Sequence, residues 1–180
     1  MHAAFKRYLV LSIAVFAAML HVHAQPKSIG TAYSFNGVAL SYEHVLNDDC
    51  FLNIDVRAEM LAYFMDRNDT PGISASWSSN FIIKEWQSRN KNTVRFFAGP
   101  GAVIGFANDF RKEKGLFFGM KGRIGMECAF DRNISISASL NPVLGTHMVV
   151  VGEHVEMKYY KNGLINTVIP EIGIKYTFGK

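Results

Sequence analysis

From Cys50 to Met60 the chain alternates without a break. Cys50, Leu52, Ile54, Val56, Ala58 and Met60 form one set, and Phe51, Asn53, Asp55, Arg57 and Glu59 the other. Successive side chains of an extended chain point to opposite faces, so this segment predicts a strand with one apolar and one polar face. A helix, with its period of 3.6, would scatter both sets around its axis. The same alternation returns in Phe118, Met120, Gly122, Ile124, Met126, Cys128 and Phe130 against Lys121, Arg123, Gly125 and Glu127. It returns again in Ile134, Ile136, Ala138 and Leu140 against Ser135, Ser137 and Ser139.

Five weaker segments extend the pattern: Ile29 to Phe35, Val38 to Glu43, Ile73 to Lys84, Val94 to Phe106, and Ile172 to Phe178. Eight strands result. Pro100 falls inside the fifth and predicts a bulge or bend there, because proline has no N–H to give to the ladder. Asn36-Gly37 predicts a tight hairpin between the first two. Short polar turns at Asn47-Asp48-Asp49, Ser88 to Asn92 and Asp131-Arg132-Asn133 alternate with longer connections at Leu61 to Gly72, Ala107 to Lys114 and Pro142 to Thr167. This is an up-and-down antiparallel meander with short turns at one end and long loops at the other, the asymmetry of outer-membrane barrels.

The first residues are of a different kind. His2, Lys6 and Arg7 precede an apolar run from Tyr8 to Leu20 and the small-residue exit Val22-His23-Ala24, which predicts an export leader, residues 1–24, cleaved before Gln25. The run is about 20 Å long as a helix, short of the roughly 30 Å needed to span a bilayer. The remaining 25–180 make one domain of about 19 residues per strand and connection, enough for spanning strands of about 9–11 residues. Lys6 and Arg7 are the only charged residues in the leader, so the formal net charge of +4 falls to +2 and demands no nucleic-acid partner. Cys50 and Cys128 match no metal motif, and both sit on the apolar phase as small hydrophobes. No pattern points to a cofactor.

Which face is buried sets both solvent and function. In water the apolar face would line the interior, as in a secreted ligand-binding barrel of the lipocalin kind; in lipid the order inverts, because hydrocarbon cannot solvate charge. The aromatics Tyr33, Phe35, Phe106, Phe130, Tyr176 and Phe178 sit near strand ends on the apolar phase, as interfacial girdles do. The fold expected is therefore all-β, an eight-stranded antiparallel up-and-down transmembrane β-barrel with both termini periplasmic. Its polar phase carries Arg57, Lys84, Arg95, Lys121, Arg123 and Lys175 with Glu43, Asp55, Glu59, Glu127 and Glu171. An eight-stranded interior is just wide enough for side chains to fill. Of these charges, Glu43, Asp55, Arg57, Glu59, Arg95, Lys121, Arg123, Glu127 and Lys175 are the expected lumen charge network, a hydrogen-bonded plug with no open pore.

Ser34-Phe35-Asn36-Gly37, the strand Ala39 to His44, and the ending Ile169 to Lys180 with Tyr176 and Phe178 resemble the small outer-membrane β-barrel proteins common in Bacteroidetes. The resemblance spans the chain after its leader. It implies contact with outer-membrane lipid and insertion by the barrel-assembly machinery, which reads a final strand closing on an aromatic; here Gly179 and Lys180 follow Phe178. It implies no particular activity. A lipid-modifying barrel enzyme is the alternative, but His147 is followed by Met148-Val149 and His154 by Val155-Glu156, neither matching the His-x-Ser of lipid A deacylases. The segment Pro142 to Thr167, with His154, Tyr159 and Tyr160, is the candidate surface for an extracellular protein or glycan, as a hairpin extending beyond the membrane; the alternative is a loop folded over the barrel mouth. Asn68-Asp69-Thr70 is a glycosylation sequon by pattern only.

Overall fold

The computed structural model describes residues 26–60, 71–88, 92–109, 114–130, 133–152, 154–165 and 168–178. The leader and the Asn68 sequon lie outside them. The strands are β1 (Lys27–Ser34), β2 (Gly37–Asn47), β3 (Cys50–Glu59), β4 (Gly72–Gln87), β5 (Thr93–Asn108), β6 (Lys114–Ala129), β7 (Ile134–Leu140), β8 (Val143–Val151), β9 (His154–Tyr159) and β10 (Glu171–Phe178), with a short helix, α1 (Asn162–Ile165), before the last.

Ten strands make eight walls. β6 pairs with β7 along Ile124 to Ala129 and with β8 along Leu116 to Lys121, so β7 and β8 are two halves of one wall strand interrupted at Asn141-Pro142. The eighth position is shared by β9, paired with β8, and β10, paired with β7 and β1. Pairing of β5 with β6 closes the sheet into an antiparallel barrel.

The stagger can be followed residue by residue. From Glu127 on β6, ladder partners lead through Ser137, Gly173, Ala32, Ala39, Arg57, Ser74 and Gly105 back to β6 at Phe117, ten residues from the start. With strands about 4.8 Å apart and about 3.3 Å per residue, this tilts the strands by about 41° and sets a backbone radius of about 8 Å. Such a cylinder has room for one layer of side chains from each wall.

The two phases fall on opposite faces. Leu40, Ile73, Met120, Ile124, Ile172 and Ile174 are exposed on the outer surface, while Glu43, Asp55, Lys121, Arg123, Glu127, Glu171 and Lys175 are buried inside. On β6 and its end, the outward side chains from Phe118 to Phe130 cover about 30 Å of height at about 2.5 Å per tilted residue, the thickness of a hydrocarbon core.

Four local expectations change. Pro100 stays in register opposite Gly122 and makes no bulge; the irregularities lie at Val45/Asn47 and Ile82/Lys84. Proline needs only one side of its strand left unbonded, and Pro100 has no ladder partner on β4. The shift at Ile82/Lys84 reverses the phase of the end of β4, so Lys84, expected on the polar phase, lies outside, 6.0 Å from the Trp86 ring. The first hairpin turns on Phe35-Asn36, with Gly37 already opposite Ser34. Gly37 has φ of 146°, and a Cβ there would stand 1.8 Å from the Ala58 carbonyl oxygen. Finally, Pro142 to Thr167, expected as a connection that extends as a hairpin, begins within the wall itself: it holds β8, β9 and α1.

Candidate functional site

The lumen holds the nine charged residues of the expected network together with Glu171. Five cations, Arg57, Arg95, Lys121, Arg123 and Lys175, face in with five anions, Glu43, Asp55, Glu59, Glu127 and Glu171. They are sorted by height into layers.

Nearest the termini is a quartet drawn from four strands. Arg95 Nη2 donates to Glu43 at 2.5 Å and to Glu127 at 2.8 Å; Lys175 Nζ donates to Glu43 at 2.6 Å and also to Glu127. Each cation bridges both carboxylates. This is how buried charges are tolerated: the attraction offsets desolvation only when geometry and remaining hydrogen bonds are good. Phe51 forms the next layer, with the Arg95 guanidinium 4.5 Å and the Lys175 ammonium 5.8 Å from its ring centre. Phe97 meets Phe51 edge-on at 5.3 Å and carries Arg123 5.2 Å from its own ring.

Above the aromatics lies a second ionic group. Lys121 Nζ donates to Asp55 and to Ser76, both at 2.8 Å. Arg57 pairs with Glu171, and Ser74 donates to Glu59 at 2.5 Å. The space left among them is about 20 Å³, enough for roughly one water.

At the loop end lies an apolar layer that charge counting did not foresee. Phe117, Val103, Ala107, Val143 and Tyr160 pack together, and Tyr160 stacks on Phe117 at 4.3 Å with planes 7° apart. Tyr160, expected at the surface, is only 2% exposed. The chain folds inward after β9 because its backbone finds partners there: Tyr160 N–H donates to Gly145 C=O at 2.9 Å, and Asp109 accepts the N–H of Asn162 at 3.1 Å. Burial pushes the Tyr160 hydroxyl well above the ordinary phenol range, and Glu59 and Asp109 push it the same way. His147 is fully buried beside it, with Nε2 3.1 Å from the Ala107 carbonyl oxygen. That contact orients the ring but supplies no nucleophile. His154 and Tyr159 remain exposed on β9.

Phe97 and Phe117 lie opposite Gly125 and Gly105 across the β5–β6 ladder. A Cβ on Gly105 would meet the Phe117 ring at 2.5 Å, and one on Gly125 the Phe97 ring at 2.6 Å. Each ring covers the backbone of a glycine, which is how two large aromatics fit a narrow lumen. An aromatic on the polar phase of one strand, beside a neighbour whose polar phase carries glycine, is the sequence signal that could have revealed this.

The terminal end differs from the loop end. It opens as a vestibule of about 270 Å³, lined by Ser28, Glu43, Glu85, Arg95, Glu127 and Ser135 among others. Glu85 points inward because the irregularity at Ile82/Lys84 sets it opposite Arg95. Among the described residues the lumen is thus wider toward the termini than toward the loops. On the final strand, Tyr176 and Phe178 face outward and are exposed.

No protein-family model matches the sequence, and no curated protein matches it either. Solved structures similar in fold include the N-terminal β-barrel domain of Pseudomonas aeruginosa OprF, at 12% identity over 86% of this chain and 96% of that one, TM-score 0.48. A major outer membrane protein from Thermus thermophilus is similar at 10% identity over 87% of this chain and 100% of that one, TM-score 0.47. Neisserial surface protein A is similar at 11% identity over 86% and 94%, TM-score 0.39.

Proposed function

We propose that this chain is an outer-membrane β-barrel with a side-chain-filled lumen, acting as a structural or surface-interaction protein and not as an open channel. The observation that carries the reading is the inverted burial: Leu40, Met120 and Ile124 are 64%, 70% and 58% exposed, while Glu43, Lys121 and Lys175 are 2%, 5% and 3% exposed. A barrel in water would lose the transfer energy of the outer side chains, about 25 cal/mol per Å² of apolar surface left wet, with no compensation inside. Lipid removes that cost.

In this reading residues 1–24 are a leader removed on export, the termini and short turns are periplasmic, and the β8–β9 hairpin faces outward. Tyr176 and Phe178 close the final strand as the signal read by the assembly machinery. The hairpin supports the surface role. Val150 and Val155 are 72% and 60% exposed, about 10 Å beyond the level of Phe118 and Thr146, where acyl chains no longer cover them. Tyr159 shares the face of Val150 and Val155 and His154 lies on the other, so the hairpin offers an apolar and a polar side for an extracellular protein or glycan. The organism group suggested by the sequence resemblance belongs to the same proposal.

Cell fractionation and gel mobility test the location. The mature protein should fractionate with outer membranes and migrate differently when heated. A compact, monodisperse polypeptide in buffer without detergent would overturn the reading in favour of a secreted ligand-binding barrel.

A further inference from the structure

The vestibule at the terminal end holds a charge that its own walls do not balance. Glu85 joins Glu43 and Glu127 there, making three carboxylates against two cations, Arg95 and Lys175. Glu43 and Glu127 are both engaged by Arg95 and Lys175, whereas Glu85 forms no ion pair with any described residue. Arg95 and Lys175 both reach Glu127 through Oε2, so Oε1 takes part in neither bridge. A second observation is independent of charge. Ser135, 3% exposed, lines the same space, and its Oγ has no hydrogen-bond partner. A buried hydroxyl left unpaired is rare in folded proteins.

We propose that this vestibule is a binding site for a primary ammonium group. An ammonium is a compact monocation with three donors and no acceptor. It matches a deficit of one positive charge and a set of acceptors made of the Glu85 carboxylate, Glu127 Oε1 and Ser135 Oγ. A hard divalent ion fits poorly, because it takes six or more oxygen ligands and would share the site with Arg95 and Lys175. An anion would meet three carboxylates. The ammonium can come from two sources. One is a free amine entering from the terminal side. The other is the α-amino group of the chain itself once the proposed leader is removed, since Pro26 lines the vestibule and its carbonyl accepts Val45 N–H at 3.3 Å.

The test uses the chain from Gln25 onward, folded in detergent micelles, in two forms, with its α-amine free and with it acetylated. Butylammonium is titrated into each, with butanol and tetramethylammonium as controls, and the amide resonances of Ser135 and Glu85 are followed. Saturable shifts with butylammonium alone in both forms support a free-amine site. Saturation only after acetylation supports occupation by the chain's own terminus. In either case Glu85→Gln and Ser135→Ala should weaken binding, the former by at least tenfold. Absence of a saturable response in both forms overturns the proposal, as does equal binding by tetramethylammonium or indifference to Glu85→Gln. Heat-dependent gel mobility of the same samples reports the barrel separately, so a failure of the site is distinguishable from a failure of the membrane reading.

Discussion

Lys175→Met puts the ionic quartet to a quantitative test. The methionine keeps most of the length of the side chain and deletes its charge and donors. In the native barrel Lys175 is 3% exposed and stands 2.6 Å from Glu43, which is 2% exposed. At an effective dielectric constant of about 20, a pair at that distance attracts by about 6 kcal/mol. Releasing the ammonium from burial returns several kcal/mol, so the gross figure is not the net one. What remains is two carboxylates sharing Arg95 alone, an uncompensated buried negative charge, for which the expected loss is about 3–5 kcal/mol. Urea unfolding of the protein in lipid vesicles, read by tryptophan fluorescence, measures it. A second variant, Lys175→Met with Glu43→Gln, restores neutrality. It should be more stable than the sum of the single changes by about 0.5–3 kcal/mol. A single-variant loss below about 0.5 kcal/mol, or strict additivity in the cycle, would refute the quartet as an electrostatic unit.

Other outcomes follow from the same geometry. Leu40→Arg places a cation mid-height on the outer face and should cost about 2–4 kcal/mol in vesicles; a change within about 0.5 kcal/mol, normal for an exposed position in water, would argue for a soluble barrel. Gly105→Ala drives a methyl group into the Phe117 ring and should destabilise by about 1–3 kcal/mol in the same assay. Wild-type protein in planar bilayers should show no steady open channel. Tyr160→Ala removes the ring stacked on Phe117 and should cost about 3 kcal/mol or more while admitting small solutes from the loop side. Unchanged stability there would mean that the outer cap is held by other contacts.

Alternation by itself determined the all-β class, the number of walls and the membership of the two faces, because the side-chain period of an extended chain is two wherever that chain pairs. Cys50 to Glu59 could be assigned residue by residue for this reason, and its three lumen charges, Asp55, Arg57 and Glu59, followed with it. The same logic failed at Lys84, where one extra residue in β4 turned every later side chain over; no local pattern marks such a slip, since it depends on what the neighbouring strand offers. It failed again after Leu140. Pro142 has the look of a strand end, yet β6 is long enough to pair on both sides of it, and the wall continues as β8. Tyr160 is the clearest case. Two tyrosines before Asn162-Gly163 read as an exposed turn, but a cylinder of about 8 Å radius with Phe117 near its rim has a vacant aromatic face, and burying Tyr160 against it outweighs leaving it in water. Sequence determined which side chains must avoid hydrocarbon. Only closure of the barrel decided which of them meet, because partners such as Glu43 and Lys175 are separated by most of the chain and are brought together by the stagger of the strands.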